Sequence, residues 1–176
     1  AAQLHAAGIP FMFDPGQGLP MFDGDDLRHF VERATWVAVN DYEARLLVDR
    51  TGWSEEQVAG KVRALIVTHG ASGSTIRAGG ERFEIPVVKP RAVLDPTGCG
   101  DAYRAGLLYG IAQGYDWQTT GQLASLMGSI KIASRGGRRL KLRYRGTAKN
   151  HAWLTRRTAG LNLRNLIGRG LTRTAG

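Results

Sequence analysis

Residues 93–114 read Val-Leu-Asp-Pro-Thr-Gly-Cys-Gly-Asp-Ala-Tyr-Arg-Ala-Gly-Leu-Leu-Tyr-Gly-Ile-Ala-Gln-Gly. Ala92, Val93 and Leu94 have the apolar character of the end of a buried strand, which Asp95, Pro96 and Thr97 interrupt. Gly98-Cys99-Gly100 is a turn whose side chains are too small to pack anything. From Asp101 onward Tyr103, Leu107 and Ile111, with Ala102, Ala105 and Tyr109, recur at helical spacings. A glycine turn feeding a helix leaves backbone N–H groups unpaired at the positive end of the helix dipole. That geometry binds anions, phosphate above all. An aspartate placed there makes chemical sense if it accepts a proton or faces a metal. The stretch therefore points to phosphoryl transfer.

Outward from this stretch the chain alternates strand, loop and helix. Ala1–Ala7 reads as a helix stopped by Gly8, and Ile9–Phe13 as a short strand ending in the loop 14–18. Asp25 can cap a helix to about Ala34, and Thr35–Val39 is a second strand, finishing on Asn40-Asp41. A helix follows through Val48, and Ser54 opens another to about Arg63. Ala64–Thr68 is a third strand, and residues 74–88 form a hairpin turning at Ala78–Glu81. Asp116 caps a last helix to about Ser134. This is an α/β pattern, a parallel sheet with helices on both faces. Ligands in such sheets sit outside the C-terminal strand ends. The loops there are 14–18, 40–43, 68–73 and 95–101, which hold most of the polar and glycine residues able to handle a phosphate.

The formal net charge of +9 suggests a nucleic-acid binder until its distribution is read. Residues 1–137 contain all 15 acidic residues and 13 of the 24 Lys and Arg, whereas 138–176 contain 11 basic residues and no acid. The expected organisation is a globular part, 1–137, and a basic tail, 138–176, that is disordered or translated out of frame. Such a tail would bind nucleic acid non-specifically if at all, since only Tyr144 and Trp153 offer stacking surfaces. The single cysteine, Cys99, excludes an internal disulfide, and four scattered histidines show no zinc spacing. No apolar run approaches the roughly 20 residues of a membrane helix, and no signal peptide opens the chain, so a cytoplasmic protein without membrane contacts is expected. The start at Ala1, mid-helix and without methionine, is that expected of a fragment.

Asp95-Pro96-Thr97-Gly98-Cys99-Gly100-Asp101 resembles the Asp-Thr-x-Gly-Ala-Gly-Asp signature of the ribokinase/PfkB carbohydrate kinase family, with Pro96 and Cys99 as departures. The resemblance implies a ribokinase-like three-layer α/β fold with a mainly parallel sheet, lacking its N-terminal part and lid. It also implies ATP and Mg²⁺ as cofactors, and Asp101 as the base that deprotonates an acceptor hydroxyl. Backbone N–H groups of Gly98, Cys99 and Gly100 would form the anion hole, with Thr97 beside the nucleotide. Asn40-Asp41-Tyr42-Glu43 is similar to the family's Asn-x-x-Glu element, which puts Asn40 near the phosphates and Glu43 on Mg²⁺ through water. A helix cap with its capping-box acid explains the same four residues. Thr68-His69-Gly70-Ala71-Ser72-Gly73 is similar to the Thr-x-Gly-x-x-Gly loop beside ATP, which assigns Thr68, Gly70 and Gly73 to the nucleotide.

Ala124, Ser125, Gly128 and Ser129, on the helix that runs into Arg135-Gly136-Gly137, would wall the adenine or simply pack closely. Cys99 could be a thiol nucleophile at a helix start, but no histidine partner is evident and a small side chain suffices. In detail the motifs are most similar to those of bacterial adenosine kinase-type members. The implied small-molecule acceptor is thus adenosine, with ribose or another sugar as the alternative, and a homodimer is compatible with the full-length form. A fold that keeps ATP but turns nothing over would carry the same motifs.

Overall fold

The computed structural model describes residues 1–134. Its centre is a pair of parallel strands, β2 (Trp36–Asn40) and β3 (Ala64–Thr68), aligned from Trp36 opposite Ala64 to Asn40 opposite Thr68. Both are apolar throughout because both faces are covered. Val37, Val39, Leu65 and Val67 face one core, closed by Leu27 and Val31 of α2 (Gly24–Arg33), Leu47 of α3 (Asp41–Thr51) and Val58 of α4 (Glu55–Lys61). Trp36, Ala38, Ala64 and Ile66 face the other, closed by Tyr103 and Leu107 of α5 (Cys99–Gln113) and Ala124 of α6 (Trp117–Ile132). The two-residue strand β1 (Met12–Phe13) adds in parallel to β2, and a short helix, α1 (Ala2–Ala6), precedes it.

On the far side β4 (Ser74–Ala78) and β5 (Glu81–Ile85) complete the order β1-β2-β3-β4-β5 as an antiparallel hairpin. Gly79 and Gly80 turn it, both with positive φ, as a two-residue hairpin loop requires. The expected three-layer α/β arrangement is therefore present, with two parallel and two antiparallel strand pairings.

Three local expectations change. The cap of α2 is Asp23, which accepts the Asp26 N–H at 2.8 Å; Asp25 lies in the first turn and pairs with Arg28. Helix α5 begins at Cys99, two residues earlier than its apolar periodicity, because glycine and cysteine contribute nothing to that pattern. Ala92–Leu94 is not a strand. Val93 and Leu94 are exposed, and the N–H groups of Leu94 and Asp95 both reach Ile132 O at the end of α6, at 2.9 and 3.2 Å. Apolar residues there lack a neighbouring strand, so the connection is tied to a helix end instead.

Helices α5 and α6 pack at backbone distance. A Cβ on Gly106 would stand 2.6 Å from Ala124 Cα, and one on Gly110 would stand 2.7 Å from Thr120 Oγ1. Ser125 accepts the Val88 N–H and donates to Pro86 O, fixing the exit of β5 on α6. No helix among the described residues is long and apolar enough to cross a membrane. The basic stretch 138–176, expected to be disordered or out of frame, lies outside the described residues, as do Arg135, Gly136 and Gly137.

Candidate functional site

Strand β2 runs directly into α3, so Asn40 is both the last strand residue and the helix cap. Its Oδ1 accepts the Glu43 N–H at 2.8 Å, and Glu43 Oε2 accepts the Asn40 N–H at 2.8 Å. This is the capping box in full, and it holds Glu43 buried at 7% exposure. One Glu43 oxygen is thereby committed to the backbone. Next to Asn40 in register, Thr68 ends β3.

The loop beyond β3 carries two glycines with positive φ whose surroundings differ. A Cβ on Gly70 would enter open space, whereas one on Gly73 would collide with Ile85 O. Gly73 is thus required by the close approach of β5, while Gly70 leaves its backbone open. His69 Nε2 lies 3.0 Å from Thr75 Oγ1, holding this loop to β4.

At the start of α5, Gly98 adopts φ 77°, a left-handed conformation that glycine tolerates without strain. The turn before it is closed by Thr97 N–H on Asp95 Oδ1 at 2.9 Å and Cys99 N–H on Pro96 O at 3.1 Å. Of the three expected anion-hole donors, Cys99 is therefore occupied. Those of Gly98 and Gly100 have no acceptor among the described residues. Asp101 follows in the first turn, exposed, with no hydrogen bond or ion pair among the described residues. Helix α5 is anchored below it by Tyr103, whose hydroxyl lies 2.6 Å from Ser74 Oγ in the core. Burial raises the Tyr103 pKa, and the Ser74 bond works against that rise.

Cys99 also has a pKa above the ordinary thiol value. Burial is the main cause, Asp95 adds to it, and the positive charge of Lys131 opposes both. A raised thiol pKa gives no support to a thiolate nucleophile at this position.

Two charged residues at this site escape sequence reading. Arg104 reaches back along α5 and pairs with Asp14 in the loop after β1, Nη2 donating to Oδ1 at 2.8 Å and Nε facing Oδ2. Lys131 of α6 brings its Cε within 3.5 Å of where a Cβ on Gly98 would stand. Asp14 had a signal, its place in a strand-end loop, whereas Lys131 had none. Ala124 and Ser125, candidate adenine-wall residues, are used in packing and in anchoring residues 86–88.

A cavity of about 610 Å³ opens elsewhere, lined by Ile9, Pro10, Thr35 and Arg63 at the N-terminal ends of the parallel strands. It lies at the opposite strand ends from Asn40 and Thr68. Among the described residues no three His, Cys, Asp or Glu side chains gather to hold a metal ion.

A mixed sheet with a parallel centre, polar loops at its strand ends and helices on both faces define an α/β protein. The chain belongs to the pfkB family of carbohydrate kinases, whose profile matches residues 1–142. It is 35% identical over 124 residues to the nucleoside kinase of Methanocaldococcus jannaschii, covering 70% of this chain and 41% of that protein. It is 26% identical over 132 residues to the ribokinase of Bacillus subtilis, covering 75% and 43%. The Burkholderia thailandensis nucleoside kinase solved in complex with inosine is 59% identical, with a TM-score of 0.75 over 77% of this chain and 45% of that one. The chain spans less than half the length of these relatives. The structural match agrees with the α/β fold implied by the resemblance of residues 95–101 to the family signature.

Proposed function

We propose that this chain carries the phosphate-handling and base-bearing portion of an ATP-dependent kinase acting on a nucleoside hydroxyl. The observation that carries the reading is Asp101, exposed in the first turn of α5 and unpaired among the described residues, beside the N–H groups of Gly98 and Gly100. Asp101 accepts the proton of the attacking hydroxyl while those N–H groups meet negative charge on the transferring phosphoryl group. Products are ADP and a nucleoside phosphate. Positioning and electrostatics of this kind are most of what phosphoryl transfer asks of a protein.

The nucleotide lies along Thr97, Asn40 and the loop from Thr68 through Gly70 to Gly73. Gly70, with its open surroundings, supports this more directly than Gly73. Mg²⁺ when bound supplies charge neutralisation on the phosphates. The single buried carboxylate of Glu43 suits an ion held mainly by water and phosphate oxygens rather than by a protein cage.

For the acceptor, adenosine and inosine are favoured over ribose. The 59% identical Burkholderia thailandensis relative is a nucleoside kinase solved with inosine and with ADP-inosine. The deciding experiment measures ADP release with ATP, Mg²⁺ and a panel of nucleosides and sugars, using the longest gene product that contains this chain. Turnover of purine nucleosides at least tenfold above ribose is expected. A preference for ribose overturns the acceptor, and no turnover with any member overturns the activity.

A further inference from the structure

A buried cation at this site has no hydrogen-bond partner among the described residues. Lys131 sits in the last turn of α6, and its Nζ is shielded from solvent without a hydrogen bond among the described residues. An ammonium removed from water is costly unless an acceptor meets it. Its neighbours locate where that acceptor belongs. From the point where a Cβ on Gly98 would stand, Lys131 Cε is 3.5 Å away and Asp101 Oδ2 is 3.8 Å away. The two side chains thus flank the same glycine, yet they form no ion pair. The Lys131 charge is also felt at Cys99, one residue into the helix.

We infer that Lys131 binds the transferring phosphoryl group, its ammonium donating to a non-bridging γ-phosphate oxygen across the Gly98 turn from Asp101. This deepens the kinase reading and rests on it. The open N–H groups of Gly98 and Gly100 offer partial charges, and Lys131 adds a full one on the helix opposite. Glycine at 98 then has two reasons: its positive φ, and a surface left clear for the lysine stem and the phosphate together. The ammonium acts on charge concentrated at the γ-phosphate, so it separates ATP from ADP.

The test compares Lys131→Met and Lys131→Arg with the parent, in the longest gene product that contains this chain. Calorimetric titration with ATP and with ADP is the first readout, and steady-state kinetics the second. Lys131→Met is expected to weaken ATP at least tenfold with ADP unchanged within twofold. It should also lower kcat about 100-fold, the scale of losing one anion-hole donor, without changing KM for the nucleoside. Lys131→Arg is expected to recover ATP affinity in part. Equal losses for ATP and ADP, or ATP binding within threefold of the parent, overturn the assignment. If Lys131→Met does not fold, Lys131→Gln is read in its place by the same criteria. The ATP-to-ADP ratio is independent of the acceptor, so it still judges Lys131 if no nucleoside or sugar turns over.

Discussion

Arg104 and Asp14 stand 90 residues apart in sequence and pair at the mouth of the site. The pair joins the loop after β1 to the first turns of α5, and it holds the guanidinium beside Gly100, where Nη1 is 2.5 Å from the place a Cβ would occupy, bonded to Asp14 rather than to Asp101. Arg104 and Asp101 are three apart on one helix, a spacing at which acidic and basic side chains otherwise meet.

Asp14→Asn is therefore expected to release Arg104 toward Asp101, three residues earlier on α5, and occupy the carboxylate proposed as the base. Turnover should fall at least tenfold while ATP affinity, measured by titration, stays within threefold. Both partners are partly exposed, at 23% and 31%, so the direct loss of stability stays near or below about 1 kcal/mol. Unchanged turnover would show that Arg104 keeps its direction without Asp14.

Asp101→Asn removes the proposed proton acceptor and little else, since the carboxylate makes no hydrogen bond or ion pair among the described residues. It should keep ATP binding and lose roughly 100- to 10,000-fold in kcat, the range of general base catalysis. Near-normal turnover would take Asp101 out of the base role.

The glycines of the β3–β4 loop separate by substitution. Gly73→Ala sets a methyl against Ile85 O at a positive φ, and should cost about 3 kcal/mol or more. Gly70→Ala meets only backbone strain, about 1 kcal/mol. Urea denaturation gives both values. If the two cost the same, the close approach of β5 does not constrain Gly73.

Asp116 supplies a pH signature at the start of α6. Its carboxyl is held below the usual carboxylate range, first by the Thr119 backbone N–H and then by the Thr119 hydroxyl. A lowered folded-state value means the contribution is complete above the unfolded pKa and lost as pH falls through the lowered one. Thermal melts between pH 2 and pH 6 should show an acid limb that is shallower in Asp116→Asn. An identical limb in both proteins would assign it to other carboxylates.

Much of this fold was legible because its physics is local. β2 and β3 read as strands since both faces are buried, leaving short continuous apolar runs. The Gly98 turn was legible since glycine before a helix start has few other uses. Ala92–Leu94 misled for the same reason that β2 and β3 did not: apolar composition records burial on average, and here no strand lay alongside. Arg104 and Lys131 were invisible because their meaning lies in where long side chains point. Arg104 folds back toward its own helix start to meet Asp14, and Lys131 crosses from α6 to Gly98. Asn40 and Glu43 were legible in two ways at once, and the capping box satisfies one without removing the other.

Glu43→Gln separates those two. The amide keeps an oxygen to accept the Asn40 N–H, so the capping box survives and stability should change by less than about 1 kcal/mol. Asn40→Ala, by contrast, loses the acceptor for the Glu43 N–H and should cost about 1 kcal/mol. If Glu43 also steadies Mg²⁺ through water, Glu43→Gln needs several-fold more Mg²⁺ to reach half-maximal ADP release. A Mg²⁺ titration superimposable on the parent's would leave Glu43 as the acid of the α3 cap and nothing more.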